Sequence, residues 1–110
     1  MADLPELRVG IVGFGRIGAL HADWLARARG ISCAAVCDPT PARRALAQQR
    51  GLRSFESIES LLGDASIDAV LISTPTSMHF DEARAALSAG KHVMIEKPVA
   101  LDYGHAKTLI

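Results

Sequence analysis

The sequence is poor in cysteine, in aromatic residues and in long apolar runs, and it has no excess of charge of either sign. Its 110 residues include two cysteines, 5% aromatic residues, and 12 basic against 12 acidic side chains. Such a balance gives no electrostatic surface for nucleic acid or for an anionic membrane. The longest apolar runs, such as 69–72 and 93–95, fall far short of the roughly 20 residues of a membrane-spanning helix. Because the start of the chain also lacks the pattern of a secretion signal, we expect one cytoplasmic domain with no membrane or nucleic-acid partner.

The two cysteines, Cys33 and Cys37, lie four positions apart in an apolar, β-prone run. An extended backbone would hold them about 13 Å apart, at roughly 3.3 Å per residue, which is too far for a disulfide. No pair of histidines lies near them in the sequence, so the pattern of a zinc site is missing. We expect two buried thiols that pack as small apolar side chains, and no metal site.

Short β-prone runs alternate with helical patterns along the chain. We predict strands at 7–12, 31–37, 52–55, 68–73 and 92–95, and helices at 16–29, 41–51, 57–62 and 77–89. Asp102 is a candidate N-cap for a further helix that continues to the end of the chain. This alternation predicts an α/β domain with a doubly wound parallel sheet in the strand order 3-2-1-4-5.

The first predicted helix carries an apolar stripe at helical spacing. Its members are Ile17, Leu20, Trp24, Leu25 and Ala28. A stripe of this width is typical of a helix face that packs on a sheet. We therefore expect Trp24 in the core rather than on a surface where a ligand ring could stack.

A glycine-rich turn joins the first predicted strand to this helix. Its glycines, Gly13, Gly15 and Gly18, form the pattern G-x-G-x-x-G, which is specific only where it lies between a strand and a helix of a βαβ unit, as it does here. The first glycine allows the tight turn, the second lets a pyrophosphate approach the backbone, and the third lets the helix approach the strand. The free N–H groups of the helix then face the phosphates, and Arg16 can add a side-chain contact. The alternative is a turn without a ligand.

An acidic residue, Asp38, ends the second predicted strand about 20 residues after the last glycine, where dinucleotide-binding domains hold the adenosine ribose. A carboxylate there accepts ribose hydroxyls and repels a 2′-phosphate, which favours NAD over NADP. Arg43 and Arg44 could neutralise a 2′-phosphate if Asp38 turned away, although solvated helix charges are the simpler interpretation. An ordinary turn at Asp38 is also compatible with the sequence, and proteins that bind flavin or S-adenosylmethionine use a similar carboxylate.

Two further stretches of the sequence distinguish a nicotinamide-dependent protein from one that binds flavin or S-adenosylmethionine. Residues 67–79 read IDAVLISTPTSMH and residues 89–98 read AGKHVMIEKP. Together with the glycine turn and the following His21, they resemble the Gfo/Idh/MocA family of nicotinamide-dependent oxidoreductases across about residues 7–110. The resemblance implies a Rossmann-type dinucleotide-binding domain that precedes a larger α/β substrate domain, of which this chain has only the first.

The resemblance also implies roles for particular residues. Those assigned to the cofactor are Gly13, Gly15, Arg16 and Ile17 at the pyrophosphate, Asp38 at the adenosine ribose, Thr74, Pro75 and His79 along the nicotinamide half, Glu96 as the ribose-contacting acid, and Lys97 beside the nicotinamide and the substrate. Lys97 is the candidate catalytic residue, which would steer the substrate oxygen or relay its proton. The first, fourth and fifth strands bring Gly13, Thr74 and Lys97 to one edge of the sheet. Many relatives have Asn where this chain has Thr76, which leaves that contact open, and His79 can equally cap its helix.

We therefore expect the NAD-binding domain of a dehydrogenase that acts on a sugar or polyol, incomplete before its sixth strand and without its substrate domain. Such a domain alone should not catalyse the dehydrogenase reaction. A non-catalytic module that senses NAD(H) and a structural fragment are the alternatives. An unpaired fifth strand would also be a template for another chain, which allows a homo-oligomer.

Overall fold

The computed structural model describes residues 6–95, which form a five-stranded parallel sheet with helices on both faces. The strands are β1 (Leu7–Val12), β2 (Ile31–Cys37), β3 (Arg53–Phe55), β4 (Ala69–Ile72) and β5 (His92–Ile95). The helices are α1 (Arg16–Leu25), α2 (Pro41–Gln49), α3 (Ile58–Leu62) and α4 (His79–Ser88), with a 3₁₀ turn at Thr76–Met78 before α4. The strand order is β3-β2-β1-β4-β5, so the predicted α/β fold and strand order are confirmed.

Two apolar layers enclose the sheet. Val9, Ile11 and Val36 pack against α1 and α2 on one face, and on the other Val70 and Ile72 pack with residues of α3 and α4. Continuous apolar strands are expected where helices cover both faces of a parallel sheet. After β3 the chain crosses to the other half of the sheet and enters β4, which pairs directly with β1, so the strand order reverses between β1 and β4.

The register of the three central strands places their carboxyl ends at one level. Val12 pairs with Cys37 of β2 and with Ile72 of β4. The residues that follow, Gly13, Asp38 and Ser73, therefore leave the sheet side by side. Ligands of open parallel sheets bind at such a point, where the strand order reverses.

The apolar stripe predicted for α1 is wrong at Ile17, Leu20 and Trp24, which are exposed, and confirmed at Leu25, which is buried. Trp24 is 71% exposed and Leu20 is 55% exposed, so Trp24 is not a core residue. The buried residues of α1 are Gly18, Ala22 and Leu25. Because α1 approaches the backbone of the glycine turn closely at Gly18, the small residues Gly18 and Ala22 occupy the contact face near the turn, and a bulky residue, Leu25, is buried only further along the helix.

Other differences lie at the ends of elements. The first helix ends at Leu25 rather than at 29, and the predicted helix 77–89 is divided into the 3₁₀ turn and α4. Thr40 is the N-cap of α2, although in the described structure its side chain makes no capping bond. The predicted helix that begins at Asp102 lies outside the described residues.

Cys37 is buried, as predicted, whereas Cys33 is only half-buried, and both thiols are free in the described structure. Burial raises the pKa of Cys37 to about 12 and that of Cys33 to about 11, so both remain protonated thiols at neutral pH. Among residues 6–95, the helices are all too short or too polar to cross a lipid bilayer.

Candidate functional site: the cleft at the carboxyl ends of the central strands

The glycine turn begins with a residue that only glycine suits. Gly13 has φ +91°, and its N–H donates to the carbonyl oxygen of Cys37 at 2.8 Å. A Cβ added at Gly13 would lie 2.9 Å from Cγ2 of Thr74 and 3.2 Å from the backbone of Ser73. The turn is therefore tied to β2 and packed against the loop after β4.

Gly18 serves the packing of α1. A Cβ at this position would lie 2.1 Å from the carbonyl oxygen of Gly13, a distance that real Cβ atoms do not reach. The helix backbone can approach the turn only because this side chain is missing. This is the role predicted for the third glycine.

Gly15 differs, because the protein itself leaves room for a side chain there. The nearest atoms to an added Cβ belong to the guanidinium group of Arg43, at 3.6 to 3.8 Å, which is ordinary contact. Gly15 is also the N-cap of α1, and within residues 6–95 no side chain caps this helix end. The backbone thus presents free N–H groups beside an open space, which suits an anionic ligand.

Asp38 is fixed by the backbone of two neighbouring loops. Its carboxylate is 2% exposed and accepts hydrogen bonds from the N–H groups of Phe14 and Thr40, both at 2.8 Å. Burial opposes ionisation, but these donors and the charge of Arg43 together lower the pKa of Asp38 below its ordinary value. The side chain is therefore an anion that faces the glycine turn.

The two arginines of α2 both approach Asp38, whereas the simpler interpretation of the sequence expected solvated charges. Arg44 Nη1 donates to the carbonyl oxygen of Asp38 at 2.9 Å. Arg43 Nη1 lies 3.6 Å from Oδ2 of Asp38, and its side chain is 52% exposed. Arg43 is thus the arginine with a free approach to a ligand beside Asp38.

The loop after β4 forms the opposite wall of the site. The ring of His79 is 1% exposed, and its Nε2 lies 2.8 Å from the carbonyl oxygen of Thr74. A carbonyl can only accept, so Nε2 is the protonated nitrogen. His79, the first residue of α4, therefore holds the Thr74 loop in place through this hydrogen bond.

Sequence reasoning missed Glu82, which lies one helical turn after His79. Its side chain is buried in the described structure, and the hydroxyl of Thr74 donates to its Oε1. Burial raises the pKa of Glu82, although the Thr74 hydrogen bond opposes the shift. The signal was present, because a spacing of three residues from His79 places Glu82 on the same helix face.

These groups surround a cleft of about 560 Å³ at the switch point of the sheet. The predicted site residues that line it are Gly13, Gly15, Arg16, Ile17, Asp38, Thr74 and Pro75. Gly18 and His79 do not line the cleft, but they pack against Gly13 and hydrogen-bond Thr74, which do. Glu96 and Lys97 lie outside the described residues. Lining residues that the sequence did not indicate include Glu56, Ser57, Ile58, Glu59, Ser73, Met78 and Glu82.

Fold and site together define a dinucleotide-binding domain. An uncapped helix N-terminus, a glycine that leaves the backbone accessible and a fixed carboxylate at the end of β2 match what a diphosphate and a ribose require. Comparison with known proteins identifies the family. Residues 7–110 match the oxidoreductase family GFO_IDH_MocA, NAD-binding Rossmann fold. The chain belongs to this family, and the resemblance inferred from its motifs is confirmed.

Individual relatives agree with this assignment. The chain is 42% identical over 106 residues to UDP-N-acetylglucosamine 3-dehydrogenase of Acidithiobacillus ferrooxidans, and the alignment covers 96% of this chain and 33% of that protein. It is 34% identical to scyllo-inositol dehydrogenase of Lactobacillus casei, solved with NAD(H) and scyllo-inositol, with a TM-score of 0.88 over 94% of this chain and 32% of that one. A Synechocystis biliverdin reductase, solved with biliverdin and NADP+, is 38% identical, with a TM-score of 0.88 over 94% of this chain and 33% of that one. The chain thus spans about a third of the length of these relatives.

Proposed function

We propose that this domain binds NAD(H) for an oxidoreductase that transfers a hydride between the cofactor and an alcohol of a sugar or polyol. The observation that carries the proposal is the open backbone at Gly15 beside the fixed carboxylate of Asp38. The NAD(H) and scyllo-inositol of one relative and the sugar-nucleotide activity in the name of another support the substrate class. We place this reaction in the cytoplasm, while a homo-oligomer stays a prediction from the sequence.

Each predicted residue has a proposed role. Gly13, Gly15, Arg16 and Ile17 hold the diphosphate, Gly18 seats the helix, Asp38 accepts the ribose hydroxyls, Thr74 and Pro75 line the cleft, and His79 supports their loop, while Glu96 contacts the nicotinamide ribose. Oxidation of an alcohol releases a proton as the hydride leaves. The nicotinamide ring, when bound, accepts that hydride. Lys97 steers the substrate oxygen and takes up or relays the proton.

The preference for NAD over NADP rests on charge. A 2′-phosphate would approach the ionised carboxylate of Asp38, which backbone hydrogen bonds hold in place. Arg43 is the opposing influence, because its guanidinium is beside Asp38 and half-exposed. One relative is solved with NAD(H) and another with NADP+, so the preference between the two cofactors has to be argued from the residues of each chain.

Calorimetric titration of the purified protein with NAD+ and NADP+ tests the proposal. We expect NAD+ to bind more tightly, and Arg43→Gln to weaken NADP+ several-fold with little effect on NAD+, since it removes the exposed cation beside the ribose carboxylate. Arg84→Gln on the exposed side of α4 is the matched control. Tighter binding of NADP+ would reverse the cofactor preference, and an absence of binding to either dinucleotide would refute the proposed function.

A further inference from the structure

The strand order divides the cleft between the two halves of a dinucleotide. Asp38 follows β2 on one side of β1, and the loop that begins at Ser73 follows β4 on the other side. With the diphosphate at Gly15 and the adenosine ribose at Asp38, as proposed above, the other half of the cofactor has to extend across β1 towards β4. Thr74 and Pro75 line the cleft there, so the position of their loop decides how the nicotinamide half is held.

Thr74 is held by α4 through its carbonyl oxygen and through its hydroxyl. The carbonyl oxygen lies 2.8 Å from Nε2 of His79, and the hydroxyl donates to Oε1 of Glu82. His79 and Glu82 are 1% and 9% exposed, and their spacing of three residues places them on one face of the helix. The methyl group of Thr74 has a separate neighbour, because a Cβ added at Gly13 would lie 2.9 Å from it. The backbone and the side-chain rotamer of Thr74 are therefore both fixed.

A buried carboxyl group is a destabilising choice of partner for a hydroxyl. Burial raises the pKa of Glu82, so ionisation of this group lowers the stability of the folded protein. An apolar side chain would avoid that loss, but it could not accept a hydrogen bond from Thr74. Stability of the fold alone therefore gives no reason for a carboxyl at this position, whereas a fixed Thr74 side chain does.

We propose that Glu82 is a positioning residue that, through the hydroxyl of Thr74, holds the loop after β4 where the nicotinamide half of the cofactor contacts it. Glu82 needs no contact of its own with the cofactor, because its effect is carried by Thr74. This role rests on the proposed function, since it requires a cleft that binds a dinucleotide with its adenosine ribose at Asp38. Loss of the carboxyl should therefore weaken the binding of the nicotinamide half and leave the binding of the ADP half unchanged.

ADP-ribose separates the two halves, because it shares the ADP and the second ribose of the cofactor but lacks the nicotinamide ring. Calorimetric titrations of the purified protein with NADH and with ADP-ribose give two dissociation constants, whose ratio measures the contribution of the ring. We expect the wild-type protein to bind NADH about tenfold or more tightly than ADP-ribose, as burial of one ring face implies. Glu82→Leu should reduce this ratio by about three- to tenfold, which is the effect of one lost hydrogen bond. A general loss of stability would weaken both ligands equally and leave the ratio unchanged.

Further variants show whether Glu82 acts through Thr74. Glu82→Gln retains a carbonyl oxygen that accepts from the Thr74 hydroxyl, so we expect it to keep the wild-type ratio to within about twofold. Thr74→Val removes the hydroxyl and should reduce the ratio as Glu82→Leu does. The double variant should lose no more than Thr74→Val alone, because both substitutions remove the same hydrogen bond.

Asp81→Leu is the matched control, since it removes a carboxyl from the exposed neighbouring position and should leave the ratio unchanged. Should Glu82→Leu fail to fold by circular dichroism, Thr74→Val and Glu82→Gln decide the question, because the first breaks the hydrogen bond and the second retains it.

The outcomes separate the failure of this role from that of the proposed function. Equal binding of NADH and ADP-ribose by the wild-type protein, an unchanged ratio in a folded Glu82→Leu or Thr74→Val protein, or additive losses in the double variant would overturn the positioning role and leave dinucleotide binding intact. An equal loss in Asp81→Leu would overturn it as well. Binding of neither ligand by a folded wild-type protein refutes the proposed function itself.

Discussion

Alanine in place of Gly15 should leave the stability of this domain unchanged and weaken its binding of a dinucleotide. Gly15 has φ −80° and ψ −160°, an extended conformation that alanine adopts without strain. The added Cβ would meet only the guanidinium of Arg43, at 3.6 Å or more. With neither strain nor a clash, the free energy of unfolding should change by less than about 0.5 kcal/mol.

The loss of affinity follows from where the new methyl group points. It would occupy the space between the N-terminus of α1 and a bound diphosphate, and so lengthen the hydrogen bonds to the charged oxygens. Each such bond is worth about 1.5 to 3 kcal/mol. Since 1.4 kcal/mol corresponds to about tenfold in affinity, the loss of one bond should weaken NAD+ binding by roughly tenfold to a hundredfold.

Gly18→Ala is the counterpart for packing. Its Cβ would lie 2.1 Å from the carbonyl oxygen of Gly13. The Cβ is fixed by its bond to Cα and the oxygen belongs to the backbone, so neither atom can rotate away. Overpacking of this kind costs about 1 to 3 kcal/mol or more. Urea unfolding of both variants, with calorimetric titration of NAD+, should therefore show a stable protein with weak binding for Gly15→Ala and an unstable protein for Gly18→Ala.

Two outcomes would refute this reasoning. Wild-type affinity of Gly15→Ala for NAD+ would mean that no diphosphate rests against this backbone. A large loss of stability in the same variant would mean that Gly15 is required by the fold, and the glycine pattern would then be no evidence for a ligand.

Two further predictions concern stability. Trp24→Ala should lower the free energy of unfolding by less than about 0.5 kcal/mol, because the side chain is 71% exposed. Leu25→Ala truncates a side chain that is only 6% exposed and should lower it by about 2 to 4 kcal/mol, as measured by urea unfolding. Equal losses in the two variants would contradict the orientation of α1. Glu82→Gln should be more stable than the wild-type protein, by a margin that grows as the pH rises above about 4.3, since a carboxyl whose pKa is raised in the folded state loses stability as it ionises. Unfolding curves at several pH values measure this margin, and a constant margin would argue against burial as its cause.

The sheet was predictable because its signals are local. Apolar runs bounded by turn residues marked all five strands, and the order followed from the glycine turn and the family resemblance. The face of α1 was only partly predictable from hydrophobicity, because Leu25 of the predicted stripe is buried whereas Leu20 and Trp24 are exposed. The pattern placed Trp24 inside, but the distance between α1 and the turn is set at Gly18, and at such short range small residues outrank large apolar ones.

The side chains of the cleft show the same limit. The sequence placed Asp38 and both arginines near one another, but spacing alone cannot tell which arginine binds the backbone and which stays accessible. Arg44 reaches the carbonyl oxygen of Asp38, and Arg43 does not. Glu82 was missed because its function depends on the Thr74 hydroxyl, eight residues away.

Asp38 explains how cofactor preference can vary on a constant fold. Two backbone N–H groups and the Thr40 hydroxyl hold its carboxylate in place, and on the proposed function about one of its four acceptor positions remains for a ribose hydroxyl. A group fixed in this way needs no reorganisation when a ligand binds. Arg43, by contrast, is half-exposed, and its Nη1 lies 3.6 Å from the Asp38 carboxylate. If the cofactor binds as proposed, the negative charge beside its ribose is rigid and the positive charge is adjustable, and we expect a change of preference from NAD to NADP to require a new position for Arg43 more than a new fold around Asp38.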